Sequence, residues 1–234
     1  MYFTFKSTTS TDKGIVLQSM DWFKKPQRRN EQTYVDGKDG ATTTEYGYAP
    51  FAIPASIGLT DMTKLDEVIA LLDGTGVLTF SGDPGKYRNA KVLEQVDYQK
   101  LLKFKVADVQ FFIEDPYRYV SSESVQTIVS TPATIVNSGT AIALPLLKVV
   151  GAGIVELTLN GISMTYEYPS GESYFHLDCA TMDTYYDVPT ALRNRSITMS
   201  PIDTIPVLNV GNNTLTLDSG SITSVEVTKR TRYL

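Results

Sequence analysis

Hydrophobic and polar residues alternate along most of the chain, and this pattern predicts a protein built mainly from β-strands. The segment "YFTFK" at residues 2–6 alternates aromatic and polar side chains, and Leu157 and Leu159 alternate with polar neighbours in "GIVELTLNG". A period of two is typical of a strand that buries one face. Asn160-Gly161 then supplies the favoured two-residue hairpin turn. Further short runs of this kind, separated by turn residues, predict a β-sandwich in the C-terminal half.

One segment has the period of a helix instead. In "TDMTKLDEVIALLDGTG", the apolar residues that share one helix face are Leu65, Val68, Ile69 and Leu72. Gly74 follows them and can end the helix in the left-handed conformation. The sequence therefore predicts one amphipathic helix packed against a sheet, and we interpret residues 98–115, "YQKLLKFKVADVQFFIED", as a longer strand region.

A change in composition divides the chain. Residues 121–132 are rich in Ser and Thr, which favours a domain boundary there, with domains at residues 1–125 and 126–234. Just before it, "VQFFIEDPYRYV" stops being a strand at Pro116, which cannot donate to the hydrogen-bond ladder. We interpret the motif as a junction, in which Tyr117 and Tyr119 cover the end of the first domain or contact a neighbouring subunit.

Composition excludes several classes of function. Of the 234 residues, 42% are hydrophobic and 20% charged, which is ordinary for a chain that folds around a core. The net charge of −5 argues against nucleic acid as the main partner. No stretch approaches the ~20 apolar residues that would span a bilayer, and residues 1–14 lack the pattern of a signal peptide. We expect a chain that is made and kept in the cytoplasm, or assembled there into something that later leaves, and no membrane insertion.

Catalytic sites are weakly signalled. His176 is the single histidine, and a pairing with Cys179 is disfavoured because residues 176 and 179 of one strand face opposite sides of a sheet. Because Cys179 is also the single cysteine, neither an intrachain disulfide nor a cysteine-based zinc site can form. Glu172, Asp178 and Asp183 could converge as a glycosidase requires, but solvated surface carboxylates are the simpler interpretation. We predict no enzyme activity and no catalytic, metal or cofactor site.

A basic cluster precedes the first turn-rich segment. It consists of Lys24, Lys25, Arg28 and Arg29 in "KKPQRR". The cluster could contact phosphates, but a solvated loop or ion pairing across a subunit contact is favoured because the chain as a whole is acidic.

Taken in order along the chain, these segments resemble the distal tail protein (Dit) family of long-tailed bacteriophages. The N-terminal half carries "KKPQRR", "YVDGKDG", "LDEVIALLDGTGVLTF", "SGDPGKYRNAKV" and "VQFFIEDPYRYV". The C-terminal half carries "IVNSGTAIALPLLKVVGAG", "LTLNG", "YFHLDC", "PVLNVGNNTLTL" and "VTKRTRYL". The family commonly has a proline before the first glycine of "YVDGKDG", where this chain has Asp36.

The resemblance implies an N-terminal belt domain, a β-sandwich with one helix, and a C-terminal galectin-like β-sandwich. It implies a homo-hexameric ring at the distal end of the phage tail. The ring would join the tail tube protein to a baseplate, tail-associated or tail fibre protein, around the channel for the tape-measure protein.

A second class of function stays open, because galectin-like sandwiches can bind sugars. Sugar recognition usually needs an exposed aromatic platform with polar groups beside it. Trp22, the single tryptophan, lies in the N-terminal half. The candidate glycan contacts are therefore the tyrosines of the C-terminal half: Tyr166, Tyr168, Tyr174, Tyr185 and Tyr186.

Overall fold

A computed structural model describes residues 1–186, 193–194, 197–202 and 204–234 of the chain. The chain forms two units, Met1–Ser121 together with Leu234, and Ser122–Tyr233. We call them unit 1 and unit 2. Both consist mainly of antiparallel strands, so the mainly β fold class is confirmed. No helix in the described ranges is long and apolar enough to cross a membrane.

Unit 1 is one antiparallel sheet, one separate hairpin and short helical segments. Its strands are β1 (Phe3–Phe5), β2 (Thr8–Thr9), β3 (Ile15–Met20), β4 (Arg28–Thr33), β5 (Thr42–Tyr48), β6 (Phe51–Leu59), β7 (Gly74–Phe80), β8 (Lys86–Val92), β9 (Val106–Ile113) and β10 (Arg118–Val120). The sheet order is β2-β1-β7-β8-β9-β6-β3, and β10 pairs with β8. Strands β4 and β5 pair with each other as a separate two-stranded sheet.

The predicted amphipathic helix is confirmed. A 3-10 turn at Met62–Lys64 leads into helix α1 at Leu65–Leu71, and the Asp61 carboxylate accepts a hydrogen bond from the backbone N–H of Thr63. Val68 and Leu72 are buried as the pattern predicts, whereas Ile69 is 38% exposed. Leu71 is buried in its place, so the buried face of the helix is turned slightly from the predicted one.

The interpretation of residues 98–115 as one strand region is wrong in its first half. Tyr98–Phe104 form helix α2, which ends at Lys105 in the left-handed conformation before β9 begins. The Asp97 carboxylate accepts from the backbone N–H of Lys100, which caps the helix. The residues between these caps, Gln, Lys and Leu among them, favour a helix over a strand.

Three phenylalanines pack together in the core of unit 1. Phe3 and Phe5 of β1 both meet Phe111 of β9 edge to face, with ring centroids 5.4 and 5.5 Å apart. All three are fully buried. The alternation in "YFTFK" therefore reports a strand with its phenylalanines inside, as predicted.

Unit 2 is built around two long strands. Its strands are β11 (Gln126–Ile128), β12 (Ala133–Asn137), β13 (Leu146–Leu159), β14 (Ile162–Glu167), β15 (Tyr174–Asp178), β16 (Asp183–Tyr186), β17 (Arg193–Asn194), β18 (Thr198–Ser200), β19 (Gly211–Thr228) and β20 (Arg232–Tyr233). The sheet order is β11-β19-β13-β15-β16-β17. Strand β12 also pairs with β19, and β14 joins β13 to β18. The hairpin turn at Asn160-Gly161 is confirmed, with φ of 53° and 84°.

The pairing of the two long strands shifts register three times between Val150 and Leu157. The widest shift lies between Ala152, which pairs with Ser221, and Glu156, which pairs with Ser219. Gly220 lies there with φ of +85°, and a Cβ on it would lie 2.2 Å from the carbonyl oxygen of Ile154. Only glycine allows the two backbones to approach so closely.

Candidate functional site

The β4–β5 hairpin is the most exposed element of unit 1. Every residue from 27 to 47 is exposed, including the large side chains Tyr34, Val35 and Tyr46 at 71%, 56% and 50%. In the part of the chain that the structure describes, neither strand pairs with the main sheet. A two-stranded hairpin is marginally stable alone, and its outer edges offer unpaired backbone groups to another strand. The hairpin is thus a ready surface for association.

The structure divides the predicted basic cluster between two places. Arg28 and Arg29 begin β4. The Arg28 guanidinium pairs with Glu45, donates to the Tyr48 hydroxyl at 3.0 Å and covers the Tyr48 ring. Lys24 and Lys25 lie before the hairpin, where both are exposed and line a small cavity. The four side chains therefore do not form a single patch.

The tyrosines of "DPYRY" pack within unit 1. The backbone N–H of Tyr117 and the hydroxyl of Tyr119 both donate to the Asp115 carboxylate, which fixes the turn after β9. Tyr119 stacks on Tyr87 of β8 with ring centroids 5.7 Å apart. Tyr117 meets Tyr48 edge to face at 6.3 Å. Tyr48 ends β5, so the motif contacts the base of the hairpin. A contact of Tyr117 or Tyr119 with another subunit stays a prediction.

Arg118 of the same motif belongs to a buried polar network. Its Nη1 donates to the Asp83 carboxylate at 2.8 Å, and Trp22 Nε1 donates to the same oxygen at 2.9 Å. Lys86 Nζ lies 3.1 Å from the other Asp83 oxygen. Burial alone would raise the pKa of Asp83, but the hydrogen bonds from Trp22, Arg118 and Lys86 lower it. Asp83 is therefore held ionised between two cations.

Arg88 on β8 is a buried cation that the sequence did not indicate. Arg88 is 1% exposed. Its guanidinium carbon lies 5.6 Å from the centre of the Trp22 ring and 5.1 Å from the centre of the Phe51 ring. Its Nη1 donates to the carbonyl of Pro116 at 2.6 Å. Burial, with the neighbouring charge of Arg118, lowers the pKa of Arg88 to about 10. An arginine in a strand normally indicates the solvent face, so no sequence signal marks this one as buried.

In unit 2 the structure corrects part of the glycan prediction. Tyr166 and Tyr168 are only 1% and 8% exposed and pack with Phe175 in the core. The Tyr168 hydroxyl donates to the carbonyl of Val149 at 3.1 Å. Buried rings offer no platform to a sugar, so the prediction is wrong for these two residues. Tyr166 lies on β14 and Tyr168 just after it, and both side chains point into the core, which the sequence alone did not resolve.

The other three predicted tyrosines are brought together around His176. Tyr185 stacks on the imidazole with centroids 5.0 Å apart, and Tyr174 meets it edge to face at 5.5 Å. Tyr186 lies 4.7 Å from the Tyr174 ring. All four side chains are partly exposed. We call this group, Tyr174, His176, Tyr185 and Tyr186, the tyrosine–histidine face.

Charged residues border the tyrosine–histidine face. Strand pairing places Glu226, Lys148, His176 and Tyr185 side by side across β19, β13, β15 and β16. The Lys148 ammonium lies 5.5 Å from the Tyr174 ring centre and 3.2 Å from the Glu226 carboxylate. The face thus combines aromatic rings with groups that can donate and accept hydrogen bonds.

The residues considered for catalysis are buried, or paired with another side chain, or separated along the chain. Cys179 is 2% exposed, and burial raises the pKa of its thiol to about 12, so it stays protonated at neutral pH. Asp178 pairs with Arg230 through both oxygens, at 2.5 and 2.8 Å. Strand pairing places Asp183 of β16 opposite Asp178, whereas Glu172 precedes the start of β15 and Asp178 ends it, so two of the three carboxylates are neighbours and Glu172 is apart. Among the described residues, no group of three His, Cys, Asp or Glu side chains could hold a metal ion.

No protein-family model matches the chain, and no curated protein matches its sequence. Among solved structures, the crystal structure of Dit from phage SPP1 matches with a TM-score of 0.74 at 15% sequence identity. The alignment covers 100% of this chain and 99% of that one. This chain has the fold of SPP1 Dit. The predicted resemblance to the distal tail protein family is confirmed at the level of the fold.

The SPP1 Dit structure is described as a paradigm of the hub of the adsorption apparatus in phages that infect Gram-positive bacteria. A second match is a chain of the phage P2 baseplate in its activated conformation with Ca, with a TM-score of 0.49 and 8% identity over 97% of this chain and 96% of that one. At that TM-score the likeness carries no argument about this chain.

Proposed function

We propose that this chain is a structural hub protein of a phage tail tip or baseplate, and that it works as a ring of subunits. The fold likeness to SPP1 Dit from end to end carries the proposal, because the whole chain and not one domain of it is matched. A hub acts through its contacts and needs no catalytic set, which agrees with the protonated Cys179 thiol and the paired Asp178. Its place would be the distal end of the virion tail.

The β4–β5 hairpin is the element we assign to ring closure. It exposes apolar side chains and two open strand edges, and both features favour pairing with a second chain. In a cyclic ring each subunit gives one surface and receives a different one, so a projecting hairpin suits such a heterologous contact. The ring would be a hexamer joining the tail tube protein to the tail-tip or receptor-binding proteins, with the tape-measure protein in its channel.

Shortening the hairpin tests this assignment. Replacing residues 29–47 with a short Gly-Ser turn removes only exposed side chains, so the core of unit 1 is left intact. We expect light scattering after size-exclusion chromatography to give six times 25.8 kDa, or a multiple of that, for the wild type and a smaller species for the variant.

The matched control removes exposed apolar side chains elsewhere on unit 1. Leu102→Ser with Phe104→Ser changes two residues of α2 that are 46% and 71% exposed. This control should assemble like the wild type. If the hairpin variant assembled equally well, the hairpin would have no part in ring closure.

Glycan binding by unit 2 is a second candidate, favoured by the tyrosine–histidine face. Its rings and its Lys148–Glu226 pair supply the stacking and polar groups that a sugar site uses. On a glycan array, binding should be lost in Tyr185→Ala and kept in the control Tyr2→Ala, which removes an exposed tyrosine of unit 1 that lies outside the β4–β5 hairpin. Binding that survived Tyr185→Ala, or no binding by the wild type, would remove this candidate.

A further inference from the structure

A small cavity in unit 1 is lined mainly by cationic side chains. Its volume is about 170 Å³, and its lining residues are Phe23, Lys24, Lys25, Arg88, Arg118 and Leu234. All of them belong to unit 1. We call it the arginine–lysine cavity.

Positive charge around this cavity exceeds negative charge. The carboxylates near these cations are Asp83, which already pairs with Arg118 and Lys86, and Asp115, whose charge acts on Arg88. The cations outnumber them: Lys24, Lys25, Lys86, Arg88 and Arg118. In the described part of the chain, no ion pair within 4.0 Å includes Lys24, Lys25 or Arg88. A recess lined mainly by one sign of charge concentrates the electrostatic field, which draws in an anion.

The two arginines also have unused hydrogen-bond donors. The Nε atoms of Arg88 and Arg118 are buried, and neither has an acceptor among the described residues. Arg88 uses its Nη1 for the Pro116 carbonyl, while Arg118 uses its two Nη atoms for Asp83 and the Leu234 carbonyl. Both Nε atoms are inaccessible to solvent, so an anion in the cavity would be held by the charge of the two guanidinium groups and not by these two donors.

The size of the cavity limits what it can hold. Pockets for drug-sized ligands enclose about 300–1,000 Å³, well above the 170 Å³ found here. A sugar or a nucleotide is therefore too large to be enclosed, whereas one carboxylate or one phosphate group fits. Guanidinium groups bind both through charge-assisted hydrogen bonds.

We propose that the arginine–lysine cavity is a binding site for a single oxyanion, either a carboxylate or a phosphate group. The guanidinium of Arg88 forms its floor, and Lys24 and Lys25 close over the bound group from the exposed side. Arg88 keeps its charge at neutral pH although burial lowers its pKa to about 10. The group can come from a free anion or from an acidic side chain of a second copy of the chain.

Trp22 provides a direct reporter of the cavity. It is the single tryptophan of the chain, its ring contacts the Arg88 guanidinium, and it donates to Asp83. The experiment titrates the full chain with inorganic phosphate at constant ionic strength, with chloride as the replaced anion, and follows Trp22 fluorescence. We expect a saturable change. In Lys24→Gln with Lys25→Gln the dissociation constant should rise about tenfold, since each partly screened cation contributes modestly.

The matched control loses two positive charges elsewhere. Lys100→Gln with Lys103→Gln changes exposed residues of α2, and it should keep the wild-type affinity. A fluorescence change that does not saturate, or one that is equal in both double variants, would overturn the proposal.

The mass of the protein during the titration identifies the source of the oxyanion. If phosphate dissociates the assembled protein, the natural occupant is a carboxylate of a second copy. If phosphate binds without changing the mass, the occupant is a free anion. Because Trp22 reports binding in a monomer as well as in a ring, failure of this proposal is distinguishable from failure of the proposed hub function.

Discussion

The Nη1 atom of Arg88 lies 2.6 Å from the carbonyl oxygen of Pro116, so a buried cation on β8 holds the turn that follows β9. The same guanidinium packs over Trp22 and Phe51. Pro116 interrupts the hydrogen bonding between the strands. Arg88 donates the hydrogen bond that the Pro116 carbonyl would otherwise lack. The "DPYRY" motif is thus fixed from inside unit 1 by Arg88 as well as by its own Asp115.

This arrangement predicts that Arg88 stabilises unit 1. Arg88→Ala should lower the free energy of unfolding by about 3 kcal/mol, because it empties a buried volume and leaves the Pro116 carbonyl without its donor. Arg88→Met keeps most of the volume and removes a buried charge, so its loss should be smaller. Urea denaturation, monitored by Trp22 fluorescence, measures the free energy of unfolding of both variants. Equal losses in the two variants would show that packing around Arg88 does not matter.

The close approach of β13 and β19 at Gly220 predicts that a substitution there costs more free energy than backbone strain alone. A Cβ at Gly220 would meet the Ile154 carbonyl at 2.2 Å, whereas Gly211, with φ of +90°, has nothing within 4 Å of such a Cβ. Gly211→Ala should therefore cost about 1 kcal/mol from backbone strain alone. Gly220→Ala should cost clearly more, about 3 kcal/mol. Thermal unfolding of the two variants compares them, and similar costs would contradict the close approach.

The Asp178–Arg230 pair predicts a pH dependence of stability. Burial alone would raise the pKa of Asp178, but the hydrogen bonds from Arg230 lower it below its value in the unfolded chain. A carboxyl with a lowered folded pKa contributes stability above its unfolded pKa of about 3.9 and loses it as the pH falls through the folded pKa.

Asp178→Asn should therefore lower the free energy of unfolding by about 2 kcal/mol at pH 7 and by less near pH 2. Urea denaturation at the two pH values checks the difference. A loss of equal size at both would mean that the ionised carboxylate is not the stabilising form.

Charge reversal of the predicted basic cluster tests its part in assembly. Changing Lys24, Lys25, Arg28 and Arg29 to Glu should impair ring formation and leave folding nearly intact, because all four side chains are exposed. Light scattering gives the mass, and circular dichroism confirms folding. Normal assembly of the fourfold variant would remove the cluster from the interface.

The sequence predicted those parts of the fold that depend on local pattern. Alternation predicted β1 and β13, the Asn160-Gly161 pair predicted its hairpin, and the period of 3.6 predicted α1. Each of these signals is contained within a few neighbouring residues. Helix α2 has the same length as α1, but it was missed because it ends at Lys105 with no glycine to mark its end, although Asp97 was an available cap.

The candidate sites depend on contacts between residues that are far apart in the sequence, and no pattern of neighbouring residues indicates such contacts. Tyr166 and Tyr174 are both strand tyrosines, yet one is buried and the other partly exposed, since a shift of one residue in register exchanges the faces. Arg88 meets Pro116 across 28 positions of the chain. Such pairings follow from the sheet topology, which the sequence indicated only through its resemblance to a known family.

The central claim is that this chain closes into a ring. The most direct measurement is electron cryomicroscopy of the purified full-length protein, with class averages viewed along the particle axis. The account predicts closed rings of six subunits around an open channel. Particles that stay single at the highest attainable concentration, or that form open filaments, would contradict it.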